Sequence, residues 1–273
     1  MDAKRIDRIR QITVTLSAVI CVIGTLYGLG ILGTTVQSSS GGRLSANATL
    51  IAPAGTAFSI WSVIYTGLAA FTIWQWIPAS AASQRARDIG WLASASMLLN
   101  AGWLLVTQLG WLPVSVAVIM ALLAVLMVLN RRLAARPPAS TVGTVEKVVV
   151  DGTFGLYLGW VSVATFANIA AVVTDNAAAP PSGLTQAAAA ATLLIVSAGG
   201  VLLTRMLGGK AAVAAATVWG LGWIAIGRST GEPRSLVTAI AAITAATIVA
   251  TATVWRRIRP GRTASASNDA LHR

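Results

Sequence analysis

The sequence predicts an all-α integral membrane protein with eight spans and both ends on the cytoplasmic side. Three observations lead there. Hydrophobic residues make up 56% of the chain and charged ones only 10%, with a mean hydropathy of +0.75; soluble domains run nearer a quarter charged. Apolar runs at 12–36, 57–77, 89–108, 113–130, 148–173, 184–205, 211–227 and 236–255 are long enough, or nearly so, for a hydrocarbon core of about 30 Å. With the N-terminus inside, all but three of the 20 Lys and Arg residues fall on inner segments; Arg43, Arg228 and Arg234 fall outside. The positive-inside rule reads this pattern as a multi-pass protein of the cell (plasma) membrane. The net charge of +12 is thus spread between apolar runs rather than gathered on one basic face, which argues against a nucleic-acid partner.

Taken in order, residues 1–11 form a basic cytoplasmic N-terminus. The first run is too long for a signal-peptide core and lacks a clear small-residue cleavage site, so it is read as a retained helix. The outer loop from Gln37 to Thr56 is rich in Ser, Gly and Ala; its "SSSGG" reads as flexible and its "APAG" as a turn that starts a helix. The loop is either a plain connector or a lid over an outward cavity. In the second run Phe58, Trp61 and Tyr65 fall inside an arc of roughly 60°. The third carries "LLNAGWLLVT", where Asn100, Trp103 and Thr107 share a face. The fourth and the seventh sit at the short limit for a span.

The inner loop from Leu133 to Glu146, with "RPPAS", is the best hinge. In the fifth run, "YLGWVSVATFAN" places Tyr157, Trp160, Ala164 and Asn168 within an arc of about 80°. The segment "TDNAAAPPSG" (174–183) then separates five front helices from three back ones, with no convincing internal repeat. Trp219 and Trp223, four apart in the seventh run, read as packing against a neighbour. The tail, 256–273, reads as disordered.

Each signal has a plainer reading beside it. Trp and Tyr often mark the membrane interface, which accounts for Trp74, Trp76, Trp91, Trp111 and Trp255 at span ends. It fits Trp160 poorly, because that residue lies deep in its helix, and it leaves Trp61 and Trp103 ambiguous. An unpaired buried amide costs a few kcal/mol, so Asn100 and Asn168 need partners; these are either pocket contacts or simple helix-joining bonds worth about 0.6 kcal/mol. Asp151, four residues after Lys147, reads as half of a local ion pair. Gly24/Gly28 and Gly155/Gly159 have the small-xxx-small spacing of close helix approach, and a homodimer stays open. Cys21 is single, so there is no disulfide framework, and His272 lies in the polar tail, which gives no His-based metal site. No paired carboxylates, buried His or Cys–His pair stand ready for catalysis, so no catalytic residues are assigned.

On these residues the chain resembles the TspO/translocator family, the tryptophan-rich sensory proteins. The family's second helix carries W-x-x-L-Y, here "WSVIY" with Trp61 and Tyr65; its third carries L-N-x-x-W, matched by Leu99, Asn100 and Trp103. Its fifth carries Y-L-x-W followed by A-T and N, matched by Tyr157, Leu158, Trp160, Ala164, Thr165 and Asn168. The resemblance covers roughly residues 10–175. Leu156 stands where the family usually has proline, and the helices after residue 180 have no counterpart in it.

The resemblance implies a TspO-like five-helix bundle over 12–175, followed by a three-helix membrane extension over 184–255. It implies a pocket for flat apolar molecules such as porphyrins or sterols, with a porphyrin- or haem-like ligand rather than a covalent cofactor. The ligand-binding residues carried over are Trp61, Tyr65, Asn100, Trp103, Tyr157, Trp160, Ala164 and Asn168, with Pro53, Gly55 and Phe58 on the loop lid. A ligand-binding sensor or carrier is then the leading expectation, with lipid and a hydrophobic small molecule as partners. A small-molecule transporter is the alternative, against which no span carries a central charge for ion coupling. An enzyme would have only tryptophan photochemistry to draw on.

Overall fold

The computed structural model describes residues 3–138, 143–174 and 182–258. The expected tail beyond 258, the centre of the 174–183 segment, and the hinge residues 139–142 lie outside the described residues. Among the described residues eight helices are long and apolar enough to cross a membrane, two of them counted with their leading turns, as Gly55–Trp74 and Gly143–Val173. We number them α1 (Ala3–Gly28), α2 (Ile60–Trp74), α3 (Gln84–Gln108), α4 (Leu112–Ala135), α5 (Thr153–Val173), α6 (Gly183–Met206), α7 (Ala211–Thr230) and α8 (Leu236–Ile258). A 3₁₀ turn, Gly55–Ser59, leads into α2, and a π-helical turn, Lys147–Gly152, leads into α5. Among the described residues there is no strand, only one isolated bridge between Leu29 and Thr35.

Local chemistry sets several helix starts. Ser83 and Ser182 cap α3 and α6 by accepting from the N–H groups of Ala86 and Thr185. Pro113 lies in the first turn of α4, where its missing N–H costs nothing. The first helix corrects the expected span of 12–36. It begins at Ala3 and stops at Gly28, because Gly30 takes φ +77° and the chain turns back into the Leu29–Thr35 bridge. Hydropathy continues through this turn, but the helix does not. The fourth span, expected to be short, is a 24-residue helix. Asn130 stays buried there by donating to Leu126 O and Phe154 O, both at 3.0 Å.

The helices follow one another side by side: α1 on α3, α3 on α4, α4 on α5, then α5 on α7, α7 on α8 and α8 on α6. Glycines make the closest approaches. Gly24 and Gly28 of α1 face Ala101 and Leu104 of α3, and Gly155 and Gly159 of α5 face Ala212, Val213 and Ala216 of α7. Both small-xxx-small motifs therefore pack helices within the chain, and the second joins the front five helices to the back three.

One helix stands apart. α2 touches α1 and α5 only thinly. It comes close at Gly67, where an added Cβ would run into the side chain of Thr153. Toward the end bearing the 29–59 loop, its Trp61 ring meets Tyr157 and Trp160 of α5. The result is a wedge with its open side under that loop.

Charged groups correct three expectations. Asp151 does not pair with Lys147; its carboxylate holds Arg85 at 2.7 Å and Lys210 at 2.6 Å, joining α3, the π-helical turn and the start of α7. Arg10, expected in the exposed N-terminus, is buried in α1, donating to Ala81 O at 2.6 Å and lying against Gly90. Arg228, expected in an outer loop, is buried in α7. Trp74 also departs from the interfacial belt: it is buried and stacked on Phe71, with ring centroids 5.9 Å apart. Trp91, Trp111 and Trp255 do present exposed rings at helix ends.

Candidate functional site

The wedge beside α2 holds a cavity of about 50 Å³. Its floor and walls come from four front helices. α2 and its leading turn contribute Trp61 and Phe58, α3 contributes Asn100 and Trp103, and α4 contributes Ile119 and Leu122. α5 contributes Trp160, Val161, Ala164, Ala167 and Asn168. Its roof is the 36–53 stretch of the loop, including Arg43, Thr49, Ala52 and Pro53.

The rings form one continuous cluster. Trp61 stacks on Tyr65 at 5.1 Å and 16°, as their four-residue spacing on one helix face allows, and meets Tyr157 and Trp160 edge-on at 5.7 and 6.4 Å. Phe58 closes on Trp160 from above at 5.7 Å and 77°. Edge-to-face contacts of this kind hold ring orientations in place.

The polar groups divide into satisfied and unsatisfied. Asn100 donates to Tyr65 Oη at 3.0 Å and to Cys21 Sγ at 3.5 Å, which locks its amide across α1, α2 and α3. Asn168 donates to Ser115 Oγ at 2.9 Å and so ties α5 to α4. Tyr157 donates to Ser96 O at 3.2 Å. Nine buried side-chain nitrogen or oxygen atoms lack a hydrogen-bond partner among the described residues, and four of them belong to residues lining this one cavity. They are Trp103 Nε1, Trp160 Nε1, Asn100 Oδ1 and Thr49 Oγ1. Buried polar groups are nearly always paired, so a cluster of exceptions is informative.

Of the sequence-derived residues, Trp61, Asn100, Trp103, Trp160, Ala164 and Asn168 meet at the cavity, with Pro53 and Phe58 above them. Tyr65 and Tyr157 do not line it; they stand behind Trp61 and support it. Gly55 does not line it either, and the Gln37 side chain lies against it. Sequence reasoning missed Arg43, Thr49, Ile119 and Leu122, and also Ser115, the partner of Asn168. The two α4 residues are ordinary apolar positions on an apolar helix. Thr49 and Arg43 sit in a segment with no periodicity to place them.

The loop packs onto the bundle. Ser39 is buried, Ser40 Oγ donates to Thr107 O at 2.8 Å, and Gln108 Nε2 donates to Thr34 O at 2.6 Å. Arg43 reaches Val172 O and Thr174 O, both at 3.3 Å. Trp219 and Trp223 of α7 pack edge to face at 5.6 Å and stay off the cavity, but Trp219 Nε1 donates to Ala57 O at 3.0 Å.

These features define a multi-pass helical membrane protein with a small, ring-lined cavity among its first five helices. The chain belongs to the TSPO-like protein family, whose model matches it over residues 11–255. The match runs through α6, α7 and α8, so the resemblance does not end near residue 175 as the motifs alone suggested. No curated protein and no solved structure matches the chain.

Proposed function

We propose that this TSPO-like protein binds a planar, largely apolar small molecule in the cavity under the 36–53 loop, as a sensor or carrier. The observation that carries the reading is the concentration of unpaired polar atoms around one apolar space. Indole N–H groups only donate, a threonine hydroxyl does both, and an amide oxygen only accepts. The matching ligand offers an acceptor such as a carbonyl or carboxylate to Trp103 and Trp160, and a donor to Asn100 Oδ1. Its flat body lies among Trp61, Phe58 and Trp160, where aromatic faces and apolar walls bury it. Arg43 is the one charged residue among those lining the cavity, and it favours an anionic group at the loop end.

Size bears on ligand class. A volume of about 50 Å³ holds only a few waters, each needing roughly 10–15 Å³ on this scale. A porphyrin or sterol, the classes implied by the family resemblance, is much larger. Binding one therefore displaces the roof, the only wall made of loop. The charge pattern supports a reading in which that roof lies on the outer face of the plasma membrane, with both termini inside.

The test is a titration of the purified protein in detergent with protoporphyrin, read by tryptophan quenching and by the shift of the porphyrin absorption band. Saturable binding that weakens in Trp61→Leu, with the fold intact, supports the site. Linear quenching identical in both proteins sinks it. Porphyrin flux in proteoliposomes then separates a binding protein from a transporter.

A further inference from the structure

We infer that α7 of the back half positions the roof of the cavity, and that Arg228 and Trp219 are its positioning residues. The inference rests on reading the cavity as a ligand site, and concerns what controls access to it.

The roof is tethered at two levels. Its early part, 34–43, is bonded to the front helices α3 and α5 through Thr34, Ser40 and Arg43. Among the described residues, its later part, 46–57, is bonded only to α7 in the contacts that leave the loop. Arg228 Nη2 donates to Ala46 O at 2.6 Å, Trp223 O accepts from Ala54 N at 3.1 Å, and Trp219 Nε1 donates to Ala57 O at 3.0 Å. Between these points lie Thr49, Ala52 and Pro53, three of the residues that cover the cavity. Ile51 turns the other way, into a core cluster with Leu193, Leu221 and Ile224 of the back helices. Gly227 completes the fit, since its missing side chain lets α7 lie against Ala54.

Arg228 is the unusual member. It is only 1% exposed, yet its terminal nitrogens are spent on two backbone carbonyls, Ala46 O and Pro233 O. A guanidinium buried this way is costly unless its bonds matter. Here one bond fixes the turn between α7 and α8 and the other fixes the roof to that turn. A movement of the back helices is thereby transmitted to the roof through two donors and one acceptor, so the front site is opened or closed from behind.

The experiment places a reporter cysteine at Ala48, which is buried in the roof but does not line the cavity. Cys21, buried in α1, gives the background in the parent protein. The labelling rate with a water-soluble maleimide is measured in detergent, with thermal unfolding in parallel. Arg228→Met should raise the rate at Ala48→Cys by about tenfold, because bonds to a charged donor are among the stronger ones. Arg228→Lys, which keeps a donor, should recover part of the protection, and Trp219→Phe should raise the rate by about threefold. Unchanged labelling in folded Arg228→Met overturns the inference. If that variant does not fold, Trp219→Phe decides alone, and unchanged labelling there overturns it equally. Protoporphyrin titration of the same proteins separates the two ideas. Faster labelling with no porphyrin binding in the parent leaves the latch standing without that ligand; porphyrin binding with unchanged labelling leaves the site standing without the latch.

Discussion

The two ends of the front bundle differ in how their polar groups are arranged. At the end that carries the chain termini, charges are paired across helices. Arg85 holds Glu146 and Asp151 at 2.7 Å, Asp151 also holds Lys210, and Asp7 takes Arg87 at 2.6 Å as well as Arg10. Burial pushes the Lys210 ammonium below the usual lysine range, and the hydrogen bond it donates to Asp151 pulls it part of the way back. At the loop end, four buried polar atoms without a partner among the described residues belong to residues that line one small cavity. Leaving such groups unpaired costs roughly 1–3 kcal/mol each. The first end spends its charges on closing the bundle, with Arg10 Nε and Gln75 Oε1 also unpaired there, whereas at the loop end the unpaired atoms gather on the residues of one cavity. On the proposed function, the contacts that stabilise this fold and the residues that bind a ligand lie in different places and can be broken separately.

The largest effect should come from the paired end. In Arg85→Met, Glu146 loses its partner and Asp151 keeps only Lys210. Removing one member of a buried pair costs about 3–5 kcal/mol, and the remaining Lys210 contact places this case near the lower figure. A large drop in thermal stability in detergent, with porphyrin affinity of the surviving folded fraction unchanged, is the expected outcome. Loss of affinity at unchanged stability would mean that the two ends are not separable.

A smaller effect tests the join between front and back. An alanine at Gly159 brings its Cβ against Val213 O and Ala216 of α7. Overpacking of this kind costs about 1–3 kcal/mol, and it pushes α7 away from α5. Because α7 also holds the roof, Gly159→Ala should both lower the unfolding temperature and speed labelling at Ala48→Cys. A stability loss without faster labelling would show that the back half is a passive support.

Much of the fold was legible because a membrane span is a one-dimensional signal: length and apolarity suffice. What escaped were contacts between distant segments. Asp151 had a partner at helical spacing in Lys147, but Arg85 and Lys210, 66 and 59 residues away, displaced it. Arg10 and Arg228 looked like loop charges because the carbonyls that satisfy them, Ala81 O and Ala46 O, belong to other segments. The site was partly legible for a similar reason. A shared helical arc put Tyr157 with Trp160 and Tyr65 with Trp61, but an arc does not say which ring faces the space and which stands behind it. The loop residues Thr49 and Arg43 carried no periodic signal at all.

The smallest effect is also the most discriminating, because it separates a packing tryptophan from a binding one. Trp160 is 1% exposed, lies edge-on to Phe58 and Trp61, and has an unpaired Nε1–H among the cavity residues. Trp160→Phe keeps an aromatic ring and removes the donor. In the empty protein that donor is a burden, so its loss offsets part of the lost ring area, and stability should change by less than about 1 kcal/mol. In the complex the donor is bonded, so its loss should weaken protoporphyrin by about tenfold or less, equivalent to at most about 1.4 kcal/mol. Trp91→Phe, on an exposed ring at the opposite end of α3, should change neither quantity measurably. If Trp160→Phe lowers stability as much as it lowers affinity, the indole is holding the bundle together rather than waiting for a ligand. The contrast between the two ends would then fail at its most exposed point.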